Sequence, residues 1–383
     1  MITVSVLLSA ALAVASEGEH VLKFERSRIG KTVFEAASVF DVNKDGKLDI
    51  VSGEYWSEGP DFAKQHKICT LEPHDDYFDD FSCYPIDVNG DGFDDILSGG
   101  WWGQKVLWRE NPKGQTVEWT THEVGQVGNV ERNCFWDVDG DGHVEVLPNT
   151  PGNIQHMFRL VRDANGKGTG KFEDCIISKD VKTGHGLGFG DINGDKHGDI
   201  VTNSGWFEAP VDPWKGTWVW HQEFEIGPPA SVPVLVYDVN KDGVNDIIVG
   251  QGHDYGLAWW EQKREAGGKR TWTKHEIETD KSQFHEMQLA DIDNDGEPEL
   301  VTGKRWRAHP HGDPGVDDPL GLYYYEINKG DFKRITLNFG PPETTSGAGI
   351  YLWVEDIDGN GWKDIVAPGK EGLYLFKNMG PVK

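Results

Sequence analysis

The chain has 383 residues, with 64 acidic and 37 basic side chains and a net charge of −27. That balance argues against nucleic-acid and anionic-membrane partners, both of which need basic surface. Beyond the first sixteen residues no stretch is long and apolar enough to span a membrane.

In chain order, residues 1–16 read as a signal peptide. An apolar run from Ile2 to Val14 ends in Ala13-Val14-Ala15, an A-x-A cleavage pattern, although no Lys or Arg precedes it. A secreted, periplasmic or cell-surface location is therefore expected, with residues 17–383 as one domain. The segment HVLKFERSRIG, from His20, resembles the later strands THEVG, HQEFEIG and HEIET.

From Asp41 onward one acidic signature recurs seven times, as DVNKDGKLD, DVNGDGFDD, DVDGDGHVE, DINGDKHGD, DVNKDGVND, DIDNDGEPE and DIDGNGWKD, at intervals of 46, 50, 54, 47, 53 and 65 residues. Self-similarity at about 50 residues indicates a repeat architecture. Positions 1, 3, 5 and 9 carry oxygen donors throughout. They are Asp41, Asn43, Asp45 and Asp49; Asp87, Asn89, Asp91 and Asp95; Asp137, Asp139, Asp141 and Glu145; Asp191, Asn193, Asp195 and Asp199; Asp238, Asn240, Asp242 and Asp246; Asp291, Asp293, Asp295 and Glu299; and Asp356, Asp358, Asn360 and Asp364. Clustered carboxylates and amides, with a glycine at position 6 for the sharp turn, suit Ca²⁺. The last acid falls at position 9 and not 12, and a β-rich apolar stretch follows each copy, so each loop joins two strands and not two helices. Up to seven structural Ca²⁺ ions are expected, offsetting about half of the net charge. The fourth loop has Lys196 in place of glycine and the seventh has Asn360 at position 5; both are expected to bind more weakly or stay empty.

Each repeat parses as four strands. In the second they are Phe81–Ile86, Asp95–Gly99, Lys105–Asn111 and Glu118–Val124; in the fifth, Pro233–Tyr237, Asp246–Gly250, Leu257–Gln262 and Thr271–Ile277. Four-stranded units at this period are the blades of a β-propeller. The seventh repeat supplies three strands, and the segment from His20 is expected to supply the fourth. The predicted fold is all-β: a seven-bladed β-propeller of four-stranded blades, closed by the N-terminal strand completing blade seven. Cys69, Cys83, Cys134 and Cys175 allow three disulfide connectivities or buried free thiols.

Repetition also provides an internal control on function. His20, His66, His122, His221 and His275 recur at one point of the outer strands and read as structural, whereas His143 and His197 sit inside metal loops. His74, His156, His185, His253, His285, His309 and His311 fall in connections between repeats or near the loops joining second and third strands. Those loops share the face opposite the metal loops. A five-residue strand spans roughly 17 Å, so the repeat ions are assigned to stability and not to chemistry on that face. Trp108, Trp206, Trp259 and Trp260 match Tyr324 and Tyr374 on third strands and read as packing. Trp101, Trp102 and Trp306 lie outside the pattern, where they suit stacking on sugar rings or cover by a loop.

His185 and His285, then His253, are the preferred proton-transfer residues, with Arg132, Tyr255, Lys304 and Arg307 as further catalytic candidates. Glu131, Asp254, Trp101, Trp102, Trp306 and His309 are candidates for holding substrate. The longest insertion, from Gly303, carries Lys304, Arg305, Arg307, His309, His311 and Asp313. Such a set suits β-elimination: a histidine removes a proton α to a carbonyl or carboxylate, and a cation stabilises the enolate. An additional divalent metal held by some of His253, His285, His309 and His311 is a further expectation, although no recognised ligand spacing supports it.

The repeat resembles the FG-GAP/VCBS family, which includes integrin α-subunit heads and bacterial secreted proteins, and that resemblance implies a calcium-stiffened seven-bladed propeller. The segments HGLGFGDINGD, GQGHDYGLAWWE and FHEMQLADIDNDGEPELVTGKRWRAH resemble the propeller domain of aldos-2-ulose dehydratase and its bacterial relatives. That second resemblance implies a carbon–oxygen lyase acting on a keto-sugar, with a histidine base. The alternative is a non-catalytic module that binds a glycan or a cell-surface protein, as integrin heads do. Gly-rich phosphate loops that open a helix, G-x-S-x-G and C-x-x-C are all absent.

Overall fold

The structure is a computed structural model that describes residues 22–227, 229–309 and 312–382. The expected signal peptide and His20 lie outside the described residues. All regular structure among the described residues is β, with no helix. A four-stranded antiparallel sheet builds on each repeat. The second sheet contains Tyr84–Ile86, Asp95–Gly99, Lys105–Glu110 and Thr120–Gln126, and the fifth contains Val234–Tyr237, Asp246–Gly250, Tyr255–Arg264 and Arg270–Ser282. The fourth and fifth sheets join into eight strands through the parallel pairing of Gly188 with Val234 and Phe189 with Leu235. In the last sheet, Leu22–Gly30 pairs antiparallel with Leu373–Pro381, so the first and last strands of the described residues share one sheet.

Burial follows strand position. The second strands, such as Asp95–Gly99 and Asp246–Gly250, are buried along their whole length because neighbouring sheets cover both faces. The fourth strands are largely exposed and rich in charge, which protects the outer edge from pairing with other chains.

Apolar side chains from each sheet pack against the next. Trp56 and Ile68 of the first meet Cys83 and Ile96 of the second. Leu97 and Trp108 then meet Val146 and Phe158, and Leu147 and Met157 meet Ile200 and Phe207. The series continues with Trp206 and Ile247, Trp259 and Leu300, and Tyr324 and Phe376. A final cluster places Val366 and Leu375 of the last sheet against Val39 and Ile50 of the first. Each fully buried aliphatic side chain contributes about 1.5–3 kcal/mol, so these clusters supply most of the cohesion.

The recurring histidines have a common partner set. His66, His122, His221 and His275 stack on Trp56, Trp108, Trp206 and Trp259 at 4.2–4.5 Å. Each also hydrogen-bonds the glutamate two residues after its tryptophan: Glu58, Glu110, Glu208 and Glu261. The unit is structural, as its repetition implies. All four cysteines are free thiols.

The acidic loops are ordered by their own hydrogen bonds. In the first, Asp41 accepts the backbone N–H groups of Asp45 and Gly46, and Asp45 accepts that of Lys47. The position-9 acid has a role that the spacing did not reveal. Asp49 is fully buried, and its two oxygens accept N–H groups from Val42 and Gly59. Asp95, Asp199, Asp246 and Asp364 make the same pair of bonds. This carboxylate therefore clamps its loop to the sheet, and burial pushes its carboxyl up to about 6 or 7. Donor sets close enough to hold one ion are Asp137, Asp139 and Glu145; Asp291, Asp293 and Asp295; and Asp356, Asp358 and Asp364.

The two irregular loops keep this geometry. Asn360 accepts the Trp362 N–H and donates its amide to the Asn378 carbonyl. Lys196 adopts φ +75°, where the other loops have glycine at φ 84° to 95°. A left-handed conformation costs an L-residue roughly 1–2 kcal/mol, part of which glycine gives back as unfolded-chain entropy. Lys196→Gly should therefore raise stability by about 1 kcal/mol, read as a higher thermal midpoint at constant calcium.

Candidate functional site

The loops at the strand ends opposite the acidic loops enclose a cavity of about 520 Å³. One wall is aromatic, from Tyr77, Phe81, Trp101 and Trp102; the other is polar, from Glu131, His185, His253, Arg305, His309 and Asp313. Trp102 is the most open of the aromatic group, and His74 stacks on it at 4.4 Å.

Separate repeats deliver the polar groups. Glu131 immediately precedes Arg132–Trp136, and His185 lies at the parallel bridge to Pro229 before Leu187–Gly190. His253 is in the turn before Tyr255–Arg264, whereas His285 is the second residue of Phe284–Ala290. The imidazole rings of His185, His253 and His285 lie 4.8, 5.1 and 5.5 Å apart, centre to centre. Glu131 Oε1 is 2.9 Å from His285 Nε2 and 3.4 Å from His185 Nε2. The Nε2 atoms of His185 and His253 are 3.1 Å apart.

Partners behind the rings fix their tautomers. His185 Nδ1 is 2.5 Å from the Ala230 carbonyl, and His253 Nδ1 is 3.1 Å from Asp313 Oδ2. A carbonyl and a carboxylate only accept, so both Nδ1 atoms carry the proton. Asp313 also accepts from His309, whose ring stacks on His253 at 4.4 Å. His285 is fully buried, and its Nδ1 has no hydrogen-bond partner.

Electrostatics divides the group. Burial lowers the His253 imidazole to about 4 and holds that of His285 well below its ordinary value, with the adjacent Arg305 charge adding to the latter. Burial alone would raise the Glu131 carboxyl, but His185 and His285 beside it hold it well below the usual range. Arg305 is itself buried, gripped by Glu35 through bonds of 2.8 and 3.2 Å, and its Nη1 lies 3.5 Å from Glu131.

Of the residues expected from sequence, the cavity brings together Glu131, His185, His253, His309, Trp101 and Trp102, with His285 beneath Glu131. The others lie elsewhere. Arg132 is buried between Glu286, the Val232 carbonyl and the Tyr351 ring, and it opens a strand. Lys304 closes the strand Glu299–Lys304, donating to Ser282, Gln283 and the Gly315 carbonyl. It shares with Tyr255 a second cavity of about 430 Å³, and Tyr255 begins a strand instead of filling a loop. Arg307 pairs with Asp76 and stacks on Trp306, and neither Arg307 nor Trp306 lines the main cavity. Asp254 bonds the Tyr255 backbone N–H.

Glu35, Tyr77 and Phe81 were missed, and Arg305 and Asp313 had been given no role. Glu35 precedes Ala37–Phe40 as Glu131 precedes its own strand, so the same positional test would have found it.

The FG-GAP-like repeat family matches residues 87–147 and 238–302, each of which runs from one acidic loop through the next and includes the strands between them. The chain carries FG-GAP-like repeats. No curated protein matches it. Among solved structures, the chain is similar to the V. cholerae biofilm matrix protein Bap1, at 14% identity and TM-score 0.34, over 85% of this chain and 42% of that one. It is also similar to an auxiliary nutrient binding protein from Bacteroides ovatus, at 10% identity and TM-score 0.45, over 93% and 77%. The chain thus spans less than half the length of the first of these proteins. No helix among the described residues is long and apolar enough to cross a membrane.

Proposed function

We propose that this chain is an exported, calcium-loaded, seven-bladed β-propeller whose cavity opposite the acidic loops performs β-elimination on a keto-sugar or uronate. Residues 1–16 are the leader and 17–383 the ring, closed where Leu22–Gly30 lies along Leu373–Pro381. The cluster joining the last sheet to the first supports closure. Self-ordered acidic loops support calcium as the structural ion.

The observation that carries the reading is the convergence of three imidazoles on Glu131 beside an aromatic wall. A sugar ring has an apolar face for Trp101 or Trp102 and a rim of hydroxyls for the polar wall. A cavity-facing imidazole takes the proton α to the carbonyl. Those electrons form the C=C bond as the β C–O bond breaks, and the departing hydroxyl leaves as water after protonation. Arg305, the guanidinium lining the cavity, stabilises the enolate oxygen.

The test is growth of ultraviolet absorbance from an unsaturated sugar, with a panel of keto-sugars and uronides. His185→Ala should reduce the rate by at least about a hundredfold. Retention of a sugar with no absorbing product from any of them would instead make this a binding module.

A further inference from the structure

We infer that Glu131, His185, His253 and His285 form the site of one divalent first-row transition ion, separate from the acidic loops. This rests on the same cavity as the reading above but not on the elimination.

The argument begins with two nitrogens that face each other. With the proton of each ring held on Nδ1, the Nε2 atoms of His185 and His253 both present lone pairs, 3.1 Å apart. No hydrogen bond can join them in that state, and the contact repels unless a cation lies between them. The Glu131 carboxylate oxygen Oε1 completes the arrangement at 3.4 Å from His185 Nε2 and 2.9 Å from His285 Nε2. Donors about 2.0–2.1 Å from a common ion stand about 2.9 Å apart at right angles and about 3.4 Å apart at the tetrahedral angle. The three measured separations fall in that interval, and all four donor atoms lie within 4.8 Å of one another.

The surroundings agree. Asp313 behind His253 and the Ala230 carbonyl behind His185 are the outer partners that orient metal-binding imidazoles. The site opens on the cavity through His185 and His253, which leaves room for an exchangeable ligand. Three imidazoles and one carboxylate, without a thiolate, suit Zn²⁺, Mn²⁺, Fe²⁺ or Co²⁺ and not Ca²⁺. With the ion in place the Nε2 atoms of His185 and His253 are occupied. His309, whose Nδ1 is held by Asp313, is then the cavity imidazole left to accept a proton.

The test uses the full chain, stripped with EDTA and reloaded with excess calcium so that the acidic loops stay filled, then titrated with Co²⁺. One Co²⁺ per chain with visible d–d absorption is expected, displaceable by Zn²⁺. His185→Ala and Glu131→Gln should weaken binding by a hundredfold or more, and Asp313→Asn by about ten- to a hundredfold. His309→Ala, which removes a neighbour of His253 and not a ligand, should weaken it far less than His185→Ala does. Calcium content and thermal midpoint confirm that each variant is folded. Absence of cobalt uptake by the wild-type chain would overturn the inference and identify the bridging cation as a proton. Unchanged affinity in folded His185→Ala would also overturn it, as would equal loss in His309→Ala, which would move the ion to the His253, His309 and Asp313 group. Because the readout is binding, a chain that holds cobalt yet eliminates nothing overturns only the preceding proposal.

Discussion

Removing calcium with EGTA should lower the thermal midpoint by up to about 25 °C, with magnesium unable to restore it. An ion at a hundred times its dissociation constant stabilises the folded state by about 2.7 kcal/mol, or about 19 kcal/mol for seven filled loops. A chain of this size has an unfolding entropy near 0.75 kcal/mol per kelvin, which converts that loss to about 25 °C as an upper figure, reached only if the Lys196 and Asn360 loops are filled too. The physical cause is repulsion: each loop holds up to four carboxylates at its donor positions, and the position-9 acid is buried where water cannot screen it. A midpoint indifferent to the chelator would remove the structural role given to the ions. Loss in several steps would show that the loops differ in affinity, with those of Lys196 and Asn360 expected to empty first.

The second large effect concerns Arg132 and Glu286, a buried ion pair beneath the cavity. Replacing either partner alone, as Arg132→Met or Glu286→Gln, should cost about 3–5 kcal/mol, because the remaining charge is stranded in a low-dielectric interior. The double variant should recover most of that loss. The Val232 carbonyl and the Tyr351 ring also lose their cation, so recovery is expected to be incomplete. Urea unfolding of the two single variants and the double variant measures the coupling directly. Additive losses would show that the two side chains do not act as a unit.

Much of the architecture was legible because it repeats. Seven acidic signatures set the register, and the strands Asp95–Gly99 and Asp246–Gly250 fall where the spacing placed them. Recurrence also separated His66, His122, His221 and His275, stacked on their tryptophans, from the histidines that gather around Glu131. What the sequence concealed was direction. Arg132, Lys304 and Arg307 sit close in sequence to cavity residues, yet the alternation of a strand or the course of a loop turns each toward a different partner. Glu35 and Arg305 are 270 residues apart, and only the packing of distant repeats makes them a pair. The clamp made by the position-9 acid was hidden for a related reason, since one donor of each pair, Gly59 or Asn111, comes directly after a third strand and outside the signature.

The pairing of Leu22–Gly30 with Leu373–Pro381 has a consequence for how the molecule comes into being. During synthesis the strand Leu22–Gly30 emerges more than 340 residues before its partner and must wait, its edge unpaired, until that partner has been made. The other repeat sheets can assemble in order from neighbouring segments, but the last requires these two distant segments together. A chain lacking Leu373–Pro381 would leave Leu22–Gly30 and Asp364–Ala367 each with an unpaired, unguarded edge.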